Sequence, residues 1–496
     1  MSMSVPTLVT FIAYLIGMLV IGGVAYRLTN SLSDYILGGR KLGSAVTALS
    51  AGASDMSAWL LLGLPGAIYL GGLSEGWIAL GLIIGAYLNW RLNAPRLRLY
   101  TEIADDAITL PDYFENRFKD GSNILRILSA IVILVFFTFY TSSGMVAGAT
   151  LFESSFGMPY STALLIGALV IVSYTFFGGF LAVCWTDFFQ ALLMMLAMVI
   201  APAVVLYELQ GLDNALAQIE QIDPVLSSWS QGLTLMGFIS LQAWGLGYLG
   251  QPHILVRFMA AESVPAVHKA RRIGMTWMVI SLFGAMFTGF LGIAYFAGKP
   301  EATLLVNNSE AVFILLTQVV FNPWFAGFLL AAILAAIMST IDSQLLICSS
   351  VIAEDFYKQF FRREATEKEL VHVGRVSVIA IALVAVMIGQ DPDSKVLALV
   401  SYAWAGFGAA FGPVVLFSLL WRDMNRNAAI AGMVTGALTV VIWKQLSGGW
   451  FDVYELLPGF VLACLAIVMV TKFGSKPEQE VLDTFDLVEK KYKEYS

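Results

Sequence analysis

Long apolar stretches separated by short polar ones run along most of this chain. They lack the alternation of barrel strands, and each is long enough, at roughly 20 residues, to cross a bilayer as a helix. The pattern therefore predicts an all-α, multi-pass membrane protein with about thirteen transmembrane helices. The predicted spans are residues 5–26, 43–71, 75–93, 124–147, 160–182, 186–208, 231–251, 273–297, 322–350, 373–390, 395–421, 427–446 and 454–472.

The composition supports a membrane protein without enzymatic chemistry. Of the 496 residues, 58% are hydrophobic and only 13% are charged, which is too little charge to cover a soluble protein of this size. The three cysteines are far apart, and no zinc pattern, phosphate loop or nucleophile elbow is present. We therefore expect a transporter rather than an enzyme, with no nucleic-acid partner and no obligate protein partner.

The positive charges predict the orientation. With the N-terminus outside, all of the 28 Lys and Arg residues except Lys299, Lys395 and Lys444 fall in cytoplasmic segments. The outer loop 209–230 carries acidic residues and no basic ones. The positive-inside rule then places the N-terminus outside, and an odd number of spans places the C-terminus in the cytoplasm.

Three segments are predicted to lie outside the membrane core. Residues Leu110–Phe114 open a short cytoplasmic helix, and Glu310–Val320 form an amphipathic helix at the outer surface. Residues 473–496 form a charged, soluble cytoplasmic tail. The three histidines, among them His253, are expected at the surface near cytoplasmic ends.

Two predicted spans contain residues that weaken a helix. Ser50–Trp59 places Asp55, hydroxyls and small residues at bilayer depth, where an ionisable group is costly and a helix break frees carbonyl groups for coordination. Gln242–Pro252 contains three glycines and a proline, with Trp244 and Tyr248 on one face. We predict an unwound cation or substrate site in the first and an aromatic wall for a small ligand in the second. Plain helix packing and an interfacial aromatic pair are the alternatives.

The spacing of these two spans indicates an internal repeat. They are five spans apart, so they run in opposite directions, and interrupted helices at matching positions indicate a binding site between inverted repeats. We predict repeats over residues 43–208 and 231–421 within a single transport domain, residues 1–472. Residues 1–42 add an N-terminal helix and loop, and 427–472 add two further helices.

Other polar residues fall inside apolar spans. Ser339, Asp342 and Ser343 share one face of the ninth span, and hydroxyl oxygens are hard ligands suited to Na⁺. Serines that bond only to their own helix are the alternative. Asp187 opens the sixth predicted span, where it can cap the helix, and Tyr140 begins a polar cluster in the fourth.

Five motifs occur in order along nearly the whole chain. They are Tyr35–Arg40, Ser50–Trp59, Tyr174–Phe180, Trp244–Pro252 and Ala335–Thr340. On these motifs the chain resembles the sodium:solute symporter family, most closely its bacterial proline-carrying branch. The resemblance implies a LeuT-like core of two inverted five-helix repeats. It also implies Na⁺-coupled symport of L-proline into the cell by alternating access, in the bacterial cytoplasmic (inner) membrane.

The resemblance also implies roles for individual residues. The implied Na⁺ ligands are Ala53, Met56, Ala336, Ser339 and Thr340. The implied substrate-binding residues are Ser57, Trp59, Tyr140, Trp244 and Tyr248. Arg40 and Asp55 match positions linked to Na⁺-dependent function, and the positions of Asp187, Asp342 and Ser343 match a second cation site in some relatives. Two carboxylates close together in a dry core need a cation or a shared proton, so we predict that Asp187 and Asp342 approach each other and hold one.

Two other functions remain open at this point. One is Na⁺-coupled symport of a different small solute, such as another amino acid or pantothenate. The other, from a different class, is a membrane sensor or channel. The short tail disfavours a sensor, and the two weakened helices favour alternating access over an open pore.

Overall fold

The computed structural model describes residues 5–26, 32–175 and 179–495. Helices fill most of these residues, and the only β-type pairing among them is a parallel bridge between Leu42 and Ala261. In chain order the α-helices are α1 (Val5–Tyr26), α2 (Leu32–Leu37), α3 (Ser44–Met56), α4 (Gly63–Gly71), α5 (Trp77–Leu88), α6 (Ala94–Ile103), α7 (Leu110–Phe118), α8 (Ile124–Phe156), α9 (Tyr160–Thr175), α10 (Phe180–Glu208), α11 (Leu212–Ile222), α12 (Leu235–Ala243), α13 (Pro252–Ala260), α14 (Val264–Phe296), α15 (Ala302–Asn307), α16 (Val312–Val320), α17 (Pro323–Ser350), α18 (Glu367–Ile388), α19 (Val396–Leu420), α20 (Arg426–Trp443), α21 (Leu456–Phe473) and α22 (Gln479–Lys493).

The predicted all-α membrane architecture is confirmed. Within the described ranges, ten helical segments are long and apolar enough to cross a bilayer. The longest of them, Ala58–Ile103, joins α4, α5 and α6 through short 3₁₀ and π turns. Other predicted spans fall on shorter or broken helices, such as α9 and the pair α12 and α13.

The start of α10 corrects the prediction for Asp187. The sixth span was expected to open at residue 186, but the helix begins at Phe180, directly after extended backbone at Gly179. Asp187 therefore lies two turns inside the helix, fully buried, and does not cap it. The apolar residues 180–184 extend the helix toward its N-terminus. The Tyr174–Phe180 motif includes residues 176–178, which lie outside the described part of the chain.

Arginine side chains join the helix ends on one side of the molecule, which we call the basic face and define by Arg40, Arg98, Arg117, Arg126 and Arg426. Their partners lie on segments that are distant in sequence, including the ends of α6, α13 and α19. These contacts cross between helices and therefore hold several helix ends together on the basic face.

The segment before α3 is tied to the end of α13 on the basic face. Leu42 N–H donates to the Ala260 carbonyl at 3.2 Å, and Glu262 N–H donates to the Leu42 carbonyl at 3.0 Å. Arg40 adds bonds of 2.8 Å to the Met259 carbonyl and 3.0 Å to Thr101 Oγ1. These contacts hold α3, α6 and α13 together at one end.

A second cluster on the basic face centres on Arg126, at the start of α8. Its guanidinium donates to Asp112 at 2.7 Å, to Asp355 at 2.9 Å and to Glu115. Asp355 is buried in the π-helical stretch Val351–Phe361 that continues α17. One cation therefore joins α7, α8 and α17.

The segment Glu310–Val320 is not the amphipathic surface helix that was predicted. Its residues 312–317 are all buried, and α16 packs against α4, α14 and α17. The Glu310 carboxylate accepts from the N–H groups of Val396 and Leu397 at 3.0 and 2.9 Å, which satisfies the first turn of α19. The run is apolar on every side as far as Thr317, so it requires burial on every side.

Residues 479–493 form a helix, a feature that the predicted charged tail did not include. Val481, Phe485 and Val488 of α22 are buried, and the helix packs against α6 on the basic face. These three apolar residues recur every three to four positions, which is the spacing of one helix face.

Candidate functional site

The first helix break lies between α3 and α4, at Ser57. This residue has φ 49° and ψ −170°, and its hydroxyl accepts from Trp59 N–H at 3.1 Å. Because α3 ends at Met56, its last four carbonyl groups need partners from elsewhere. Tyr140 on α8 supplies one of them, since its hydroxyl donates to the Asp55 carbonyl at 3.1 Å.

Hydroxyl groups of α17 supply the next partners. Ser339 Oγ donates to the Ala53 carbonyl at 2.9 Å and also lies 3.2 Å from the Ala336 carbonyl. Thr340 Oγ1 lies 3.4 Å from the same Ala53 oxygen. Four of the five predicted Na⁺ ligands are thus in contact, and the fifth, Met56, is buried beside them at the end of α3.

The second break lies between α12 and α13. The chain forms a 3₁₀ turn over Trp244–Gly250, becomes extended at Gln251, and resumes as α13 at Pro252. Gln251 Nε2 donates to the Gly247 carbonyl at 3.0 Å and to the Trp404 carbonyl at 3.2 Å. A side chain therefore replaces part of the backbone bonding that the break removes.

Aromatic rings fill the space between the two breaks. The Trp244 ring stacks on Trp59 at 5.8 Å between centroids and on Tyr454 at 5.2 Å. The Trp404 indole donates to the Trp244 carbonyl at 2.8 Å. Tyr248 donates a short hydrogen bond to the Asp55 carboxylate, so the buried acid has a partner on the opposite break.

These groups enclose a small cavity. Its volume for the centre of a water molecule is about 10 Å³, which is room for about one water. The cavity is lined by Asp55, Met56, Trp59, Leu82, Tyr140, Trp244, Tyr248, Val400 and Trp404. Since these rings are packed together, a larger ligand requires the walls to separate.

Four of the five predicted substrate residues line this cavity. The fifth, Ser57, is buried beside it and bonds to Trp59. Sequence reasoning missed Trp404 and Tyr454, which complete the aromatic wall. Trp404 lies in the uniformly apolar α19, where nothing local distinguishes it from a packing residue.

A second buried polar cluster lies among α3, α10, α13 and α17. Asp187 Oδ2 accepts from Ser50 Oγ at 2.7 Å and from Arg257 at 3.1 Å. Arg257 also donates to Ser50 at 3.1 Å and to Ser343. The side chains of Asp187 and Arg257 are 0% and 1% exposed, so this ion pair lies in a dry core.

The structure corrects two residues of α13. Arg257 was counted with the cytoplasmic charges, but it is buried against Asp187. His253 was expected at the surface, and it is also fully buried, with its ring near Phe137 and Tyr140. Both lie near the end of a predicted span, where basic residues are usually solvated. Here partners on α3, α10 and α17 surround Arg257, and aromatic rings of α8 lie against His253.

Asp342 differs from Asp187 in its contacts. It is fully buried, and neither of its carboxylate oxygens has a hydrogen-bond partner among the other described residues. The second oxygen of Asp187, Oδ1, has no such partner either. Helices α10 and α17, which carry the two acids, pack against each other. Arg40 is on the basic face, away from the residues that line the cavity.

Comparisons with known proteins agree on one family. The model of the sodium:solute symporter family matches residues 35–436. Sodium/proline symporters of Salmonella typhimurium and Escherichia coli are 57% and 56% identical to this chain, each over 98% of this chain and 96% of its own length. The osmoregulated proline transporter of Bacillus subtilis is 49% identical over 98% of this chain and 99% of its own length.

A solved structure has the same fold. A Na⁺-coupled sialic acid symporter aligns with a TM-score of 0.80 over 96% of this chain and 99% of its own, at 17% sequence identity. This likeness supports the all-helical membrane fold, while the inverted-repeat core and the thirteen spans stay predictions.

The buried ion pair leads to a stability prediction. Arg257→Met leaves the Asp187 carboxylate buried and uncompensated, which we expect to cost about 3–5 kcal/mol. The measurement is thermal unfolding of the purified protein in detergent. Arg257→Met combined with Asp187→Leu should recover most of the loss, and Arg272→Met, at an exposed position, should have little effect. Wild-type stability of the single Arg257 variant would contradict the importance of the pair.

Proposed function

The chain belongs to the sodium:solute symporter family, and we propose that it couples inward Na⁺ movement to uptake of L-proline. The proposal places it in a bacterial cytoplasmic membrane and assigns it alternating access. Its nearly full-length similarity to transporters named for proline and sodium supports this substrate pair. The observation that carries the mechanism is the enclosed aromatic cavity at the meeting point of two broken helices, beside a cluster of hydroxyl and carbonyl oxygens.

We propose that Na⁺ binds at the end of α3. The carbonyls of Ala53, Met56 and Ala336 and the hydroxyls of Ser339 and Thr340 are neutral, hard oxygen donors suited to a small cation. In the described structure Ser339 and Thr340 are already directed at the Ala53 carbonyl. Cation binding requires only that their hydroxyl hydrogens turn away, which costs little rearrangement.

We propose that proline binds between the rings of Trp59, Trp244 and Tyr248. Aromatic faces bury its apolar ring, while polar groups near Ser57 and Tyr140 are available for its carboxylate and amine. The enclosed site favours a compact solute over a long one such as pantothenate. Trp404 and Val400, on α19, also line this cavity.

The proposed topology has thirteen spans and two inverted repeats, over residues 43–208 and 231–421. The N-terminus is outside and the basic face is cytoplasmic, in agreement with the positive-inside rule. The proposed repeats put the two breaks at matching positions, and residues beside both breaks line one cavity. Such an arrangement allows the site to open to one side at a time.

We also propose that the cluster around Asp187, Asp342 and Ser343 holds a second cation, either Na⁺ or H⁺. The support is the three carboxylate oxygens of the two acids that lack partners in the described structure. One Arg257 guanidinium faces two buried acids there. A second positive charge would balance the cluster.

The proposed Na⁺ site is tested by removing its hydroxyl ligands. Ser339→Ala and Thr340→Ala should each raise the Na⁺ concentration for half-maximal proline uptake by about tenfold, on the order of 1.4 kcal/mol. Uptake into proteoliposomes at varied Na⁺ provides the measurement. Ser350→Ala is the matched control, because that hydroxyl bonds only to its own helix, at Leu346. An unchanged Na⁺ dependence of proline uptake in both variants would contradict the proposed Na⁺ site.

The proposed proline site is tested at its central ring. Trp244→Ala should weaken proline binding by roughly tenfold or more, since a buried aromatic wall is lost, and should change Na⁺ affinity less. Equilibrium binding of labelled proline and of Na⁺ to the purified protein separates the two effects. Trp450→Ala removes an indole that is 80% exposed and serves as the control. Equal losses for both ligands would show a structural role only.

The second-cation proposal is tested at Asp342. We expect wild type to carry more than one cation per proline, or to show an uptake pH profile that Asp342→Ser changes. The measurements are the Na⁺:proline ratio and the pH dependence of uptake in both proteins, with the exposed Asp393→Ser as control. A one-to-one ratio with identical profiles in wild type and Asp342→Ser would contradict the proposal.

A further inference from the structure

Helix α22 attaches to the basic face through an apolar stripe. Val481, Phe485 and Val488 are 3%, 7% and 2% exposed. The Phe485 ring lies 6.5 Å from the ring of Tyr100 on α6. These buried apolar residues alone fix the position of α22 on the membrane domain, and we call this contact surface the seat of α22.

Three ion pairs extend this seat to different parts of the molecule. They join Glu480 to Lys119 at 2.9 Å, Asp486 to Arg422 at 2.7 Å, and Glu489 to Arg96 at 2.8 Å. The basic partners belong to the end of α7, the turn after α19, and α6. Arg422 lowers the pKa of the Asp486 carboxyl, while Asp105 and Glu480 raise the pKa of Lys119, so both pairs are charged at neutral pH.

Phe485 also covers a buried cation. The Arg117 guanidinium lies over the Phe485 ring at 5.3 Å and over the Tyr100 ring at 5.1 Å. Its Nε donates to the Ser418 carbonyl on α19 at 2.8 Å. Arg117 therefore joins α6, α7 and α19, and Phe485 of α22 covers this contact.

These attachment points lie next to helices that line the central cavity. Leu82 on α5 forms one wall, and α5 continues into α6 through the π-helical turn Asn89–Asn93. Val400 and Trp404 on α19 line the same cavity. Because α22 holds both α6 and the end of α19, separating α5 and α19 toward the basic face must strain or break its contacts.

We propose that α22 is a strap that holds the basic face closed, and that its release accompanies opening of the cavity to that side. The inference rests on the alternating access of the proposed function, but not on the identity of the solute. The three pairs are partly exposed, and such a pair changes an equilibrium by roughly 1.4-fold to fivefold. The strap therefore sets how readily the basic face opens, and salt weakens it.

The test uses a buried reporter cysteine on the side of the molecule to which α22 binds. Ser350 is 5% exposed and lines a cavity of about 20 Å³ with Thr109 and Val256. Ser350→Cys is introduced into the full chain after the three native cysteines, Cys184, Cys348 and Cys464, are replaced by alanine. The rate of labelling by a water-soluble maleimide in detergent then reports how often the basic face opens.

We expect Asp486→Lys and Glu489→Lys each to raise the labelling rate by about 1.4-fold to fivefold. Removal of residues 475–496 should raise it further. Glu494→Lys is the control, because it reverses an exposed acid directly after the end of α22 that has no ion pair in the described structure. Exchanging one pair, Asp486→Arg with Arg422→Asp, should restore slow labelling.

Two outcomes would contradict the proposal that α22 is a strap. One is an unchanged labelling rate in both charge-reversal variants, and the other is an equal increase of the rate in Glu494→Lys. If the shortened chain fails to fold, the charge reversals and the exchanged pair decide the question. Labelling involves no proline. A failure of Na⁺-dependent proline uptake would therefore refute the proposed function and leave this result unaffected.

Discussion

The structure depends on how broken helices satisfy their backbone groups away from water. In a bilayer an unpaired N–H or C=O costs several kcal/mol, so a break requires partners from within the protein. Here Tyr140 donates a hydrogen bond to the Asp55 carbonyl, Ser339 donates to the Ala53 carbonyl, and the Trp404 indole donates to the Trp244 carbonyl. The groups that make the breaks tolerable lie beside the cavity, and several of them are the groups to which the proposed function assigns cargo binding.

Charge imposes a second constraint on the same region. The Asp187–Arg257 pair lies in a dry core and joins α10 to α13, while Ser50 and Ser343 bring in α3 and α17. Removing ions from water is expensive, and such a pair is tolerated only when its remaining hydrogen-bonding groups are also satisfied. Arg257 meets this condition with four partners, whereas the acids keep unsatisfied oxygens. The unsatisfied groups of the cluster are thus carboxylate oxygens, which a bound cation can compensate.

The sequence predicted what depends on local pattern. Apolar runs gave the helices, and the residues around Asp55 and the glycines near Trp244 gave the two breaks, because these residues are costly at bilayer depth wherever they occur. Trp404 and Tyr454 could not be found in this way, since their role arises only when distant segments converge on Trp244. Arg257 was misplaced for a similar reason, because its burial arises only when α3, α10 and α17 pack around it. The seat of α22 also depends on partners at Arg96, Lys119 and Arg422, far away in sequence.

The bridge between Leu42 and Ala261 has a mechanical consequence. It fastens the start of α3 to the end of α13, and the Ser50–Arg257 bond fastens the two helices again further along. Any tilt of one helix half must therefore carry the other with it, with the carbonyl cluster at the tip of α3 and Tyr248 just before the tip of α13. A ligand that fixes one tip limits the motion of the other. Whatever factor a ligand at one tip applies to the affinity at the other, thermodynamic reciprocity requires the same factor in return, without any contact between the two ligands.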